Sequence, residues 1–272
     1  MARKSSLALM SYKEIAAIPK DRAVLLMPIG CVEQHGPAGY TGADTVLAEY
    51  LCRRTADALE HVYVAPPLWY GYTPYTAFPG TVTLRVETLK AFVRDVLGGY
   101  IAHGFRHIVV VNNHGPNETA IEPVATEIRR RHGIVLSILY PWRLAEHVGH
   151  DLIPDAAKVY GHGGEPTISV MMGLHPEAVT KDGHAETRGY AKVAGPISPT
   201  SFRTAIFQGF SIGLFSEAAD VLPSGASGDW TVASEERGRQ ILDRMVAYAR
   251  EFVPAFLRLS QDLQSRRPPS ER

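Results

Sequence analysis

Glu33, His35, Asp44 and His114 are the residues whose types and spacing suggest chemistry. Glu33 and His35 are two positions apart, so on an extended segment their side chains project to the same side. Asp44 follows a glycine-containing loop and opens a stretch of helical periodicity, where an acidic residue also serves as an N-cap. His114 closes a continuous apolar run. Carboxylate oxygens and imidazole nitrogens are the usual ligands of Zn, Mn and Fe. An Asp shared between two cations would hold them close enough to activate one water. Spacing alone also admits four ordinary polar residues at loop ends.

The elements that must position these residues follow from periodicity. Ala23–Ile29 and His107–Val111 are continuous apolar runs of strand length, the pattern of strands buried on both faces. Val62–Ala65 and Ile134–Leu139 are two further strands. Asp44–Ala56, Glu87–His103, Asn117–Arg131, Pro166–Leu174 and Val232–Leu257 carry helical spacing. Strands alternating with helices predict the α/β class: a single-domain three-layer sandwich, a mostly parallel sheet with helices on both faces. The domain is expected over residues 1–258, with a polar, frayed tail at 259–272. Ligands of such sheets bind beyond the carboxyl ends of the strands. The first and third strands end in polar turns, Gly30–Pro37 and Asn112–Asn117, so these turns are expected to meet at one edge.

Composition narrows the class. The chain has 272 residues, 45% of them hydrophobic, with 28 Lys+Arg against 28 Asp+Glu. A balanced charge gives no electrostatic reason to expect nucleic acid or an anionic membrane as partner. The two cysteines, Cys31 and Cys52, form neither a disulfide framework nor a CxxC zinc motif. Cys31 reads as packing rather than as a nucleophile. There is no signal-peptide core and no apolar run of spanning length, so a cytoplasmic location is the default expectation. The glycines form no nucleotide cradle, and no GxSxG motif is present. The loop from Leu68 to Thr81 carries Trp69, Tyr70, Tyr72, Tyr75 and Phe78. Its aromatics suit either the wall of a pocket for a small planar substrate or a subunit contact.

Five segments carry a family resemblance. PIGCVEQHGPAGYTGADT, FPGTVTL, HGFRHIVVVNNHGPN, GHGGEPTISVMMGLHPEAV and SGASGDWTVASEERG, spanning about Ile29 to Gly238, are similar in content and order to segments of the creatininase (creatinine amidohydrolase) family. The resemblance implies a metal-dependent hydrolase that opens an amide-like C–N bond of a small molecule. It also implies two divalent metals per subunit (Zn, Mn or Fe) on Glu33, His35, Asp44 and His114, with Asp44 bridging. His162 would move a proton to the leaving nitrogen, and Asn117 is a candidate to orient substrate or solvent. A homo-oligomer is implied, commonly a hexamer.

Several positions depart from that pattern. Pro116 stands where the family completes its second metal site with Glu, and Thr167 where many relatives carry another Glu. Glu165 is the nearest carboxylate and the candidate fifth ligand, or else a helix-opening residue favoured by the dipole. Lys158 and Gly115 replace the Trp and Tyr of relatives that act on creatinine, which argues against creatinine as substrate. Lys158, with the nearby Arg143, would suit a carboxylate-bearing substrate instead. A metal-dependent deaminase or a peptidase-like relative is the alternative reading, and a non-catalytic metal-binding relative the third.

Overall fold

The computed structural model describes residues 4–153, 155–180, 189–191 and 195–266. After the short helix α1 (Tyr12–Ala16), the chain forms β1 (Val24–Ile29), α2 (Ala43–Ala58), β2 (Val62–Val64), α3 (Val86–Ala102), β3 (His107–Asn112), α4 (Glu118–His132), β4 (Leu136–Leu139) and α5 (Pro141–Gly149). It continues through α6 (Ala156–Val159), α7 (Thr167–Leu174), β5 (Ile197–Pro199), β6 (Thr204–Phe207), β7 (Phe210–Gly213), α8 (Ala218–Val221) and α9 (Glu235–Ser265).

The four apolar runs pair as a parallel sheet in the order β2-β1-β3-β4. Every residue of β1 and β3 is buried, because helices cover both faces. Val24 and Leu26 point to one side with Val109 and Val111, against α2 and α9; Leu25, Met27 and Ile29 point to the other with Ile108 and Val110, against α3 and α4. This strict alternation of a period-two strand divides the core into two layers. Parallel pairing sets the carboxyl ends of β1 and β3 side by side. Ile29 lies opposite Asn112, and the Asn113 amide donates to the Ile29 carbonyl at 2.9 Å. The two polar turns therefore leave the sheet from adjacent positions, as the alternation of elements predicted.

Three features differ from the sequence expectation. A second, antiparallel sheet, β5-β6-β7, follows α7; its strands are too short and too irregularly apolar to carry a periodic signal. α5 begins two residues after β4, started by Pro141 in its first turn. The frayed tail expected from Leu259 is corrected: α9 continues through Ser265 past Pro254. Ser260 is buried beside His107, whose Nδ1 lies 2.9 Å from Ser260 Oγ, and Gln264 Nε2 donates to the Arg106 carbonyl. A polar sequence here hides a docked helical turn. Residues 267–272 of the expected tail lie outside the described residues. Among the described residues, no helix is long and apolar enough to cross a membrane.

Candidate metal centre

Glu33, His35, Asp44 and His114 converge, and none is more than 4% exposed. The two turns supply Glu33, His35 and His114; α2 supplies Asp44 in its first turn. Asp44 gains its place because α2 packs close on the end of β1. A β-carbon at Gly30 would sit 2.4 Å from the Thr45 backbone nitrogen, so only glycine allows that approach.

The two carboxylate oxygens of Asp44 serve different histidines. Oδ1 is 3.3 Å from His35 Nε2, and Oδ2 is 3.1 Å from His114 Nδ1. Glu33 Oε2 lies 3.4 Å from the same His114 nitrogen. Each imidazole is held by its other nitrogen. His114 Nε2 donates to the Tyr72 carbonyl at 2.9 Å, and His35 Nδ1 donates to the Glu33 carbonyl at 3.1 Å. A carbonyl can only accept, so these bonds fix the tautomers and turn one ring nitrogen of each histidine toward the carboxylates. A lone pair facing an anionic oxygen is repulsive unless a proton or a cation lies between them. Burial alone would depress the His114 imidazole, but the Glu33 and Asp44 carboxylates outweigh it and push it up to about 9. Burial likewise opposes ionisation of Asp44, yet His35 and His114 hold its carboxyl well below the usual range. Among the described residues no Lys or Arg pairs with Glu33 or Asp44. Two buried carboxylates, two oriented imidazoles and no resident cation form a donor set that fits divalent metal. The ligating atoms fall into two groups, each within 4.8 Å: Cys31, Glu33, Asp44 and His114, and Glu33, His35 and His162.

Surrounding side chains fix this set. Thr73 Oγ1 donates a short hydrogen bond to Glu33 Oε1. Trp142 Nε1 donates to Asp44 Oδ1 at 2.6 Å, and Asn113 joins the Trp142 amide (2.8 Å) to the Asp44 carbonyl (3.1 Å). Trp142 and Asn113 escape a search for metal ligands. Trp142 had a signal, because it follows the end of β4 at the same sheet edge.

The centre opens onto a cavity of about 280 Å³ lined by Glu33, His35, Asp44, His114, His162, Tyr75, Trp142, Pro116, Glu146 and Phe202, among others. His162 is half-buried, stacked between His35 (4.9 Å) and Tyr75 (4.4 Å). Its Nε2 donates to the Gln34 carbonyl at 2.9 Å. Burial and the neighbouring His35 bring its imidazole down to about 3. A larger cavity of about 610 Å³ near α1 and Tyr100 has no carboxylate in its wall and lies apart from this chemistry.

The remaining sequence candidates divide. Tyr75 lines the cavity, and Phe78 packs behind it at 6.3 Å. Tyr72 contributes its backbone, while its side chain borders a neighbouring cavity. Trp69 is 40% exposed and does not line the cavity. Lys158 is corrected as a substrate residue: its side chain is 78% exposed, 3.6 Å from Asp155, and absent from the cavity wall. Arg143 pairs with Glu118 instead. Asn117 does not face substrate either. Its amide bonds Tyr72 N, Gly30 O and Asn112 Oδ1, which clamps the loop that holds His114. Glu165 is corrected as a fifth ligand. It is fully buried, accepts from Arg237 Nη1 and Ser169 Oγ at 2.7 Å each, and stands outside both ligating groups. Both bonds end on Oε1, so Glu165 ties α7 to the start of α9, while its buried Oε2 has no hydrogen-bond partner among the described residues.

The chain is similar to known proteins over nearly its whole length. The family model described as creatinine amidohydrolase matches residues 8–253. A 3-dehydro-scyllo-inosose hydrolase of Thermotoga maritima is 26% identical, over 96% of this chain and 89% of its own. A creatinine amidohydrolase of Pseudomonas putida is 30% identical, over 64% and 73%. A mycofactocin precursor peptide peptidase of Mycobacterium ulcerans is 27% identical, over 84% of each. Two solved creatininases, one described as a Zn–Zn type and one as the Mn form, superpose with TM-scores of 0.70 and 0.71. Both are 23% identical, cover 98% of this chain and are themselves covered completely. At that identity they establish the fold alone.

Proposed function

The chain belongs to the creatininase family, and from that premise we propose that it is a metal-dependent amidohydrolase that opens an amide, cyclic amide or related C–N bond of a small molecule with water. The observation that carries this reading is Asp44, whose two oxygens face two separately oriented imidazoles. Glu33, His35, Asp44 and His114 would hold two divalent ions, Zn, Mn or Fe. When bound, such ions supply Lewis acidity for water and for the carbonyl under attack.

The chain's own residues do the rest. Trp142 and Asn113 keep Asp44 from rotating, and Thr73 does the same for Glu33. Tyr75 and Phe202, 5.7 Å apart, with Trp142 and Pro116, give the cavity flat apolar walls suited to a compact planar substrate. His162 is neutral near pH 7, the form that has a ring nitrogen able to accept a proton. Its weak basicity favours passing that proton on to the departing nitrogen. A cavity of about 280 Å³ supports a small molecule over a peptide, the named substrate of the mycobacterial relative. The three relatives act on an inosose, creatinine and a precursor peptide, so family membership leaves the substrate open. We also infer a cytoplasmic homo-oligomer. Phe210 and Phe215, on and beside the small sheet and 73% and 93% exposed, are the candidate contact residues.

The test is a screen of lactams, imides, hydantoins and formamides with Zn-, Mn- and Fe-loaded protein, with metal quantified after purification without chelator. A free carboxylate with retained amine is the expected product, and ammonia release would mark a deaminase instead. Asp44→Asn keeps the shape of the side chain but loses one anionic oxygen. It is expected to lose both bound metal and hydrolysis; full activity in that variant would end this assignment.

A further inference from the structure

We propose that Cys31 is a thiolate ligand of the cation held by Glu33, Asp44 and His114, so that one half of the centre contains sulfur and the other does not. The proposal rests on the metal-centre reading above and goes beyond it in ligand chemistry.

The two cysteines occupy opposite environments. Cys52 is packed in the apolar core with Leu47, Leu51 and Ala56. Cys31 is equally buried but belongs to none of the apolar clusters. Its Sγ lies 2.9 Å from Asp44 Oδ2, the oxygen that also faces His114. The ligating atoms of Cys31, Glu33, Asp44 and His114 all lie within 4.8 Å of one another, and all four residues are buried. His114 points to a ligand independently, because the Tyr72 carbonyl holds its Nε2–H and leaves Nδ1 aimed at the same spot.

One sulfur, one nitrogen and two carboxylates make four donors, which is the full complement of a tetrahedral zinc site. The second group, Glu33, His35 and His162, has no sulfur, and all three of its residues line the cavity; in the first group Glu33, Asp44 and His114 line it too, and Cys31 does not. On metal uptake the thiol proton leaves to solvent and an S–metal bond forms, with no change of oxidation state. Thiolate is a soft ligand, so this half favours Zn over Mn.

Cobalt(II) loaded into the full-length chain is the probe, because a Co–thiolate bond produces a near-ultraviolet charge-transfer band that oxygen and nitrogen ligands do not. The expected result is that band in the unmodified protein. In Cys31→Ser it should be lost while the visible bands of bound cobalt persist. Competition should show the preference for Zn over Mn falling by about tenfold or more in the same variant. Cobalt uptake without the near-ultraviolet band overturns the thiolate and leaves the hydrolase reading intact. A band that survives Cys31→Ser also overturns it. Failure to take up cobalt, zinc or manganese at all overturns both. Should Cys31→Ser fold poorly, the band in the unmodified protein still decides.

Discussion

The oxygens of Asp44 face two histidines that are fixed by backbone carbonyls, whereas Glu165, also a buried carboxylate, faces an arginine. On the proposed reading, that difference in partner separates the carboxylate that would hold a cation from the one that would not. Replacing Arg237 tests it from the structural side. Arg237→Ala leaves Glu165 buried without its guanidinium, which is expected to cost about 2–3 kcal/mol in chemical denaturation. The loss is tempered because burial already raises the Glu165 carboxyl, which can take up a proton. Metal content of this variant should match the parent; a drop in metal with unchanged stability would restore Glu165 as a ligand. His162 is the residue where relay and ligand roles compete, since it belongs to one ligating group and also lines the cavity. His162→Ala is expected to keep its metal and lose roughly 10²–10⁴-fold in kcat, the usual scale of lost proton transfer. Loss of metal in that variant would make His162 a ligand.

At the level of elements, the parallel pairing of β1 with β3 does most of the positioning, because it delivers two polar turns to one edge. β4 adds Trp142 from the next position along that edge. The loop from Leu68 to Thr81 folds back over this edge and is anchored by Asn117. A β-carbon at Gly71 would lie 2.4 Å from Asn117 Oδ1, which is why the chain there has glycine. The last two turns of α9 are the element that composition misjudged. Truncation after Arg258 removes the Ser260 contact with His107 and the Gln264 bond to Arg106. It is expected to lower stability by about 1–3 kcal/mol, measured as a fall in Tm, through the buried groups left unpaired. An unchanged Tm would return residues 259–265 to the status of a tail.

For the molecule as a whole, the metal centre joins segments that are far apart in sequence: Cys31 to His35, Asp44, His114 and Trp142. Cations that bind only this assembled arrangement stabilise the fold by linkage. Free metal at a hundred times its Kd adds about 2.7 kcal/mol. Chelation should therefore lower Tm measurably and reversibly, with zinc or manganese restoring it; a chelator-insensitive Tm would place the centre outside the folded state's energetics. Among the described residues neither Glu33 nor Asp44 has a Lys or Arg partner, which is the physical reason to expect a large effect.

Much was legible before any coordinates. The apolar runs of β1 and β3 are long enough, and uninterrupted enough, to require burial on both faces, and that requirement implies the parallel sheet and its active edge. Glu33, His35 and His114 lie in the turns at that edge with Asp44 beside them; spacing left their role open, and the family resemblance singled them out. Sequence could not decide which way the remaining polar side chains turn. Glu165 and Lys158 look available in one dimension, yet one is bound by Arg237 from 72 residues away and the other points to solvent. Cys31 looks like packing until Asp44 is folded against it. Pairings of this kind depend on where distant elements come to rest, and only tertiary packing fixes that.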